Sequence, residues 1–127
     1  LTYSLKSMMW RQMGVERSRA GLEDALHNLE FWTRAVRELS PPDPRSWELI
    51  NMLTFAQLAT LGAFRREESR GVHFRSDFQE AHPAWRVHTL CRPRFDGGRI
   101  AGVNVEQQPL AEPVPSDALP SADEAWS

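Results

Sequence analysis

Between residues 45 and 69 a helix would be apolar on almost every side. Trp47, Leu49, Ile50, Met52, Leu53, Phe55, Ala56, Leu58, Ala59, Leu61, Ala63 and Phe64 leave it almost no wet face, and such a helix has to be covered on several flanks. At 1.5 Å per residue it would be roughly 37 Å long. The run Ser40-Pro41-Pro42-Asp43-Pro44 stands before it. Prolines end whatever helix precedes them, and Asp43-Pro44 reads as an N-cap followed by proline at the first helical position. Shorter neighbours can cover only part of so greasy a rod. The surplus predicts a partner surface outside these residues.

Two such neighbours precede the break. Residues 3–13 put Leu5, Met8, Met9 and Met13 on one helical side, and Gly14 supplies a stop. Ser18 is placed to cap a second helix over 18–39, in which Leu22, Ala25, Leu26, Leu29, Thr33, Val36 and Leu39 recur at helical spacing. Glu23, Asp24, Glu30, Arg34, Arg37 and Glu38 mostly fill its opposite side. The expectation is a mainly α protein: an antiparallel, spectrin-repeat-like three-helix bundle over residues 1–71, with helices at about 3–13, 18–39 and 45–69.

After Gly71 the helical period stops. Residues 72–110 read as a charged loop and then a small β-hairpin packed on the bundle. Trp85, Val87, Thr89 and Cys91 alternate along its first strand, Asp96-Gly97-Gly98 makes its turn, and Arg99–Val105 returns. An isolated hairpin is marginal in water, so this one must lean on other structure. Residues 111–127 are rich in proline, serine and acid and read as a disordered tail.

Charge excludes some functions. All 15 basic side chains, 14 of them arginine, lie in residues 1–110 with 13 of the 17 acidic ones; Glu112, Asp117, Asp123 and Glu124 follow. That interleaved, near-neutral body is no nucleic-acid footprint. No apolar run reaches the ~18–20 residues that cross a bilayer, and these residues show no signal-peptide pattern. Cys91 is the single cysteine, which points to a reducing, cytoplasmic setting. The chain opens at Leu1 within a helical pattern, as a fragment of a longer protein would.

Few residues suggest chemistry. His73, His82, His88 and Cys91 lie close in sequence but match no zinc spacing, and His27 sits on a solvated helix face. Cys91 reads as a small apolar filler of a strand, and Gly97-Gly98 as a turn rather than a phosphate cradle. Hence no catalytic, cofactor-binding or metal-binding residue is assigned. Charge is concentrated at Glu67–Asp77. Arg65, Arg66 and Arg70 fall in the last turns of the third helix, and Gly71 ends it. His73, Arg75 and Asp77 then alternate along an extended run opposite Phe74 and Phe78. Arg70, His73, Arg75 and Asp77 are therefore candidates for an interdomain contact, where arginine forks make buried pairing productive. A cap with a salt-bridged loop is the other reading of the same residues.

The ordered set Met9-Trp10, Gly14-Val15, Arg17, Gly21-Leu22-Glu23, Ala25-Leu26 and Leu49–Leu53 leads to Glu67-Glu68-Ser69-Arg70-Gly71-Val72-His73-Phe74-Arg75-Ser76-Asp77-Phe78, with Trp85 and His88-Thr89 beyond. It resembles the C-terminal helical domain of the flavoprotein family of L-aspartate oxidase and the succinate dehydrogenase and fumarate reductase flavoproteins. Met9-Trp10 and the lack of a long basic insertion after Phe78 look more like L-aspartate oxidase. The resemblance implies a parent that holds FAD and oxidises L-aspartate to iminoaspartate for NAD biosynthesis. It implies that the flavin and substrate contacts lie in upstream flavin and capping domains of the same polypeptide, which are this chain's partners. This chain would then be a non-catalytic support without a cofactor of its own. A homodimer through the apolar surplus is a further expectation, with neither nucleic acid nor membrane as partner. Two alternatives stay open: the same domain of a succinate dehydrogenase or fumarate reductase, and a free-standing helical interaction module. Glu67 stands where the family commonly has arginine, and the tail after Leu110 has no counterpart.

Overall fold

A computed structural model of the chain describes residues 1–39, 43–97 and 99–111. Three helices, α1 (Thr2–Gln12), α2 (Arg19–Leu39) and α3 (Pro44–Arg65), precede a single 3-10 turn (Pro83–Trp85) and an antiparallel hairpin of β1 (Val87–Asp96) and β2 (Arg99–Pro109). The mainly helical class and the three-helix-plus-hairpin order are as the sequence predicts. The tail expectation for residues 112–127 lies outside the described residues.

The helix starts follow local chemistry. The Gly21 N–H donates to Ser18 Oγ at 3.2 Å, and the Ser46 N–H donates to Asp43 Oδ1 at 2.8 Å with Pro44 opening α3. Each cap satisfies a donor that the first helical turn leaves without a partner. Gly14 does a different job from the stop expected of it. Helix α1 already ends at Gln12, and a side chain at Gly14 would collide with the Trp10 carbonyl oxygen. Its place depends on close approach rather than on a left-handed backbone.

The core is a seam among the helices. Leu5 and Met8 of α1, Ala25, Leu29 and Val36 of α2, and Leu53 and Ala56 of α3 form one buried cluster, flanked by Met9, Trp32, Leu49, Ile50 and Met52. Buried positions recur every three or four residues in α3, through Leu53, Ala56, Thr60 and Ala63. Thr33 donates back to the Leu29 carbonyl at 2.7 Å, which removes the cost of burying its hydroxyl. The rest of α3 stays partly wet, and Phe55 is 74% exposed.

Helix α3 ends earlier than predicted. Arg66 turns extended after Arg65, so Glu67, Glu68, Ser69 and Arg70 are not helical. Two further carboxylates would have opposed the negative end of the helix dipole. Gly71 is left-handed (φ 58°), but it does not end α3. It shapes a tight turn in which Arg70 and His73 exchange backbone hydrogen bonds of 2.8 and 3.0 Å. The extended run predicted from His73 to Asp77 is shorter: residues 73–75 lie between turns at 71–72 and 76–77, and Arg75 bridges to both Arg17 and Phe78.

The hairpin register pairs Val87 with Pro109 and Asp96 with Arg99, with an irregularity between Arg94 and Phe95. Gly97 turns it with φ 57°, a backbone that glycine adopts without a Cβ penalty. Val87, Thr89 and Cys91 are partly covered near the bundle, whereas residues 92–97 are exposed.

Candidate functional site

The segment from Arg66 to Val87 wraps the C-terminal end of α3 and ties it to the loop between α1 and α2. Arg17, in that loop, donates its N–H to the Phe74 carbonyl at 2.9 Å and accepts from the Ser76 N–H at 2.8 Å. A backbone ladder thus joins residues far apart in sequence. Ser69 closes the inside of the loop, accepting from the Arg75 N–H at 2.9 Å and donating to the Phe78 carbonyl at 2.7 Å.

Glu68 is the hub, with a side chain that has no solvent exposure. One carboxylate oxygen accepts from Arg66 Nη1 at 2.8 Å and Arg70 Nε at 2.9 Å. The other accepts from Arg70 Nη2 at 3.2 Å and the His82 N–H at 2.8 Å. Its carboxyl is held down at about 2, chiefly by the Arg70 hydrogen bonds, with burial opposing and His82 and Arg66 assisting. A buried carboxylate survives only when its lone pairs are taken by charged and backbone donors.

Arg66 spends its fork on the hairpin. Nη1 also donates to the Trp85 carbonyl and Nη2 to the Val87 carbonyl, both at 2.6 Å, while the guanidinium lies 5.6 Å from the Trp85 ring centroid. Arg75, 1% exposed, spends its own on the helix. Nε and Nη2 grip Asp77 at 3.1 and 2.6 Å, Nη1 reaches the Phe64 carbonyl at 2.7 Å, and the group sits 4.9 Å from the Phe78 ring centroid. The Asp77 carboxyl lies below the usual range, first because of its hydrogen bonds from Arg75. His73 is held on both ring nitrogens, by Arg17 Nη1 at 2.9 Å and the Arg66 carbonyl at 3.1 Å. Since arginine can only donate, Nδ1 accepts and Nε2 carries the proton. Burial, then the charges of Arg17, Arg66 and Arg75, lower its pKa; the hydrogen bond to the Arg66 carbonyl opposes them.

Of the four residues picked out by sequence, Arg75 and Asp77 are therefore paired to each other, Arg70 to Glu68, and His73 to Arg17 and the α3 terminus. Arg70 and Asp77 reach the surface with side chains 42% and 30% exposed. Sequence reading overlooked Glu68, Arg66 and Arg17 as parts of one network. Two arginines flanking a carboxylate at Arg66-Glu67-Glu68-Ser69-Arg70 was the available signal. Nothing in the spacing ties Arg17 to His73. His82 also has a structural role, its Nδ1 accepting from the Ala84 N–H at 3.1 Å to cap the 3-10 turn. No helix among the described residues is long and apolar enough to cross a membrane.

The described residues form a mainly helical unit whose arginine–carboxylate loop is packed against the end of α3. The chain belongs to the family described as fumarate reductase flavoprotein C-term, whose pattern matches residues 2–118. It is 37% identical to one component of the fumarate reductase (CoM/CoB) of Methanothermobacter marburgensis, over 72% of this chain and 18% of that protein. It is 32% identical to the L-aspartate oxidase of Streptomyces coelicolor, over 93% of this chain and 21% of that protein. A chain of the Mycobacterium smegmatis Sdh1 complex in the apo form shares the fold, with a TM-score of 0.72 and 23% identity, over 92% of this chain and 22% of that one. This chain thus spans about a fifth of the length of the relatives it matches.

The family name implies a flavin. A flavin dinucleotide is held by a parallel strand, a glycine-rich turn and a helix N-terminus. Among the described residues the strands form one antiparallel hairpin, and Gly97 serves its turn. The described residues therefore do not supply that cradle.

Proposed function

We propose that this chain is the C-terminal domain of an FAD-dependent L-aspartate oxidase, oxidising L-aspartate to iminoaspartate for NAD biosynthesis, and that it supports the flavin domain rather than performing chemistry. The observation that supports the choice of oxidase is its recurrence: L-aspartate oxidases of several organisms are 30–41% identical to this chain, over 68–93% of its length. The supporting role follows from apolar surface left wet. Tyr3 and Trp10, two turns apart on α1, are 84% and 81% exposed, and Phe55 of α3 points away from the core. Large aromatics so placed gain when another surface covers them. Arg70, His73 and Asp77 form the polar part of that contact, with Arg75 beneath holding the loop in shape. A cytoplasmic location accompanies this reading, in keeping with the single cysteine.

The test uses the natural polypeptide that carries this segment. It should purify with FAD and oxidise L-aspartate but not succinate. Succinate oxidation without aspartate oxidation overturns the choice in favour of a succinate dehydrogenase or fumarate reductase, the reading that the similarity to the Methanothermobacter protein supports. A polypeptide without flavin overturns both.

A further inference from the structure

Beside the network lies a shallow hollow of about 280 Å³, floored by Ala59, Gly62 and Ala63 of α3 and walled by Arg17, Arg66 and His88, among others. A second, of about 340 Å³, adjoins it through shared Arg66, His73 and Val87 and adds Arg70, Arg86 and Leu110. Among the described residues neither wall includes a carboxylate. We infer that the hollow beside Arg17 is a binding site for a carboxylate, with the Arg17 guanidinium as its principal donor.

The assignment rests on what each cation already does. Arg66 and Arg70 are paired to Glu68, and Arg75 to Asp77. Arg17 has no acidic partner among the described residues. Its one side-chain hydrogen bond there goes to a neutral ring nitrogen of His73, and its Nε is buried with no partner. Partial burial lowers its pKa, and no anion among the described residues opposes that shift. A buried donor left unmade is costly, and an arginine fork matches a carboxylate with two parallel bonds. The hollow also favours a single negative charge over a phosphate. Its floor is the C-terminal part of α3, whose negative dipole end opposes any anion and opposes a doubly charged phosphate more than a carboxylate.

One ligand chemistry has two sources. A small free carboxylate could enter from solvent. A carboxylate of the chain itself could instead come from the acidic residues that follow Leu110 in sequence, beginning at Glu112. The experiment follows the Arg17 Nε–H signal by NMR while sodium acetate is titrated at constant ionic strength. The complete 127-residue chain is compared with one ending at Ala111, which keeps every described element. A saturable shift in both chains indicates a free ligand. A shift in the shorter chain only, with the signal of the complete chain already displaced, indicates the chain's own carboxylate. In the responsive chain Arg17→Lys, which keeps the charge but loses the fork, should weaken acetate at least about tenfold, read on the backbone amide of Gly62 in the floor of the hollow. Ala59→Leu, which fills the floor without touching a charge, should abolish the shift while the backbone spectrum stays folded. The inference is overturned if neither chain saturates, if both variants bind acetate as well as the parent, or if phosphate binds as tightly as acetate.

Discussion

Arg75 grips both oxygens of Asp77, at 3.1 and 2.6 Å, while its Nη1 reaches back to the carbonyl of Phe64 at 2.7 Å. One guanidinium thus fixes the turn that follows it and satisfies the end of α3. The orphan carbonyls of a helix terminus are usually met by water or a glycine cap. Here a side chain ten residues beyond the helix end meets one of them from within the core.

Replacing Arg75 should therefore cost more than replacing its partner. Arg75→Lys keeps the charge but loses the fork and the cap, and should lower unfolding free energy by about 2–4 kcal/mol in urea titrations. Asp77→Asn, at a partly exposed position, should cost about 1–2 kcal/mol. A double-mutant cycle should show the two effects to be non-additive. Equal, additive losses would mean that the pair is incidental.

Acid stability should carry the signature of Glu68. Folding lowers its pKa from an ordinary 4.5 to about 2, so the unfolded chain takes up this proton first. The stabilisation is fully present above pH 4.5 and is lost as pH falls toward 2, by roughly 3 kcal/mol across that window. Asp77, also shifted downward, acts in the same direction. Denaturation measured against pH should flatten over this range in Glu68→Gln, at the expense of stability near neutrality.

His73 should titrate below its ordinary 6.5, with the proton on Nε2 in the neutral ring. The sign again follows from a depressed folded pKa. Its contribution is complete above pH 6.5 and is lost as pH falls below that value. Because burial outranks the neighbouring charges as the cause, Arg17→Gln should raise the His73 pKa only part of the way back. Nitrogen-detected NMR titration reads both points.

Core and surface apolar residues should behave oppositely. Leu29→Ala and Leu53→Ala remove side chains with no exposure, and each should cost about 3 kcal/mol. Phe55→Ser should change the stability of the chain alone by no more than about 0.5 kcal/mol. It should nevertheless weaken association with the flavin domain that we propose covers it, measured by flavin retention of the natural polypeptide. A large stability loss from Phe55→Ser would mean that this ring is packed by the chain itself.

The hairpin should depend on one side chain. Arg66→Ala removes the bonds to the Trp85 and Val87 carbonyls and the contact with the Trp85 ring. Amide hydrogen exchange over Val87–Cys91 should accelerate at least about tenfold, while amides of α2 around Leu29 change much less. Uniform acceleration across the molecule would indicate global destabilisation instead.

Properties set by near neighbours were legible from the chain alone. The α2 stripe, the caps at Ser18 and Asp43, the turn at Gly97 and the order of elements follow from side-chain periodicity, proline and glycine. Each depends on residues a few positions apart, where backbone geometry dictates who can meet whom. The length of α3 and the arrangement of the charged loop were not legible in the same way. A helical pattern continues on paper through Glu67 and Glu68, and alternation places His73, Arg75 and Asp77 on one side. In three dimensions Glu68 is worth more beneath Arg66 and Arg70 than on a helix end that its charge opposes, and Arg75 is worth more against the Phe64 carbonyl. The tie between Arg17 and His73, 56 residues apart, exists only once the α1–α2 loop is laid against the end of α3. Long-range pairing of polar groups is decided by where burial puts them, and burial is a property of the packed bundle rather than of any local segment.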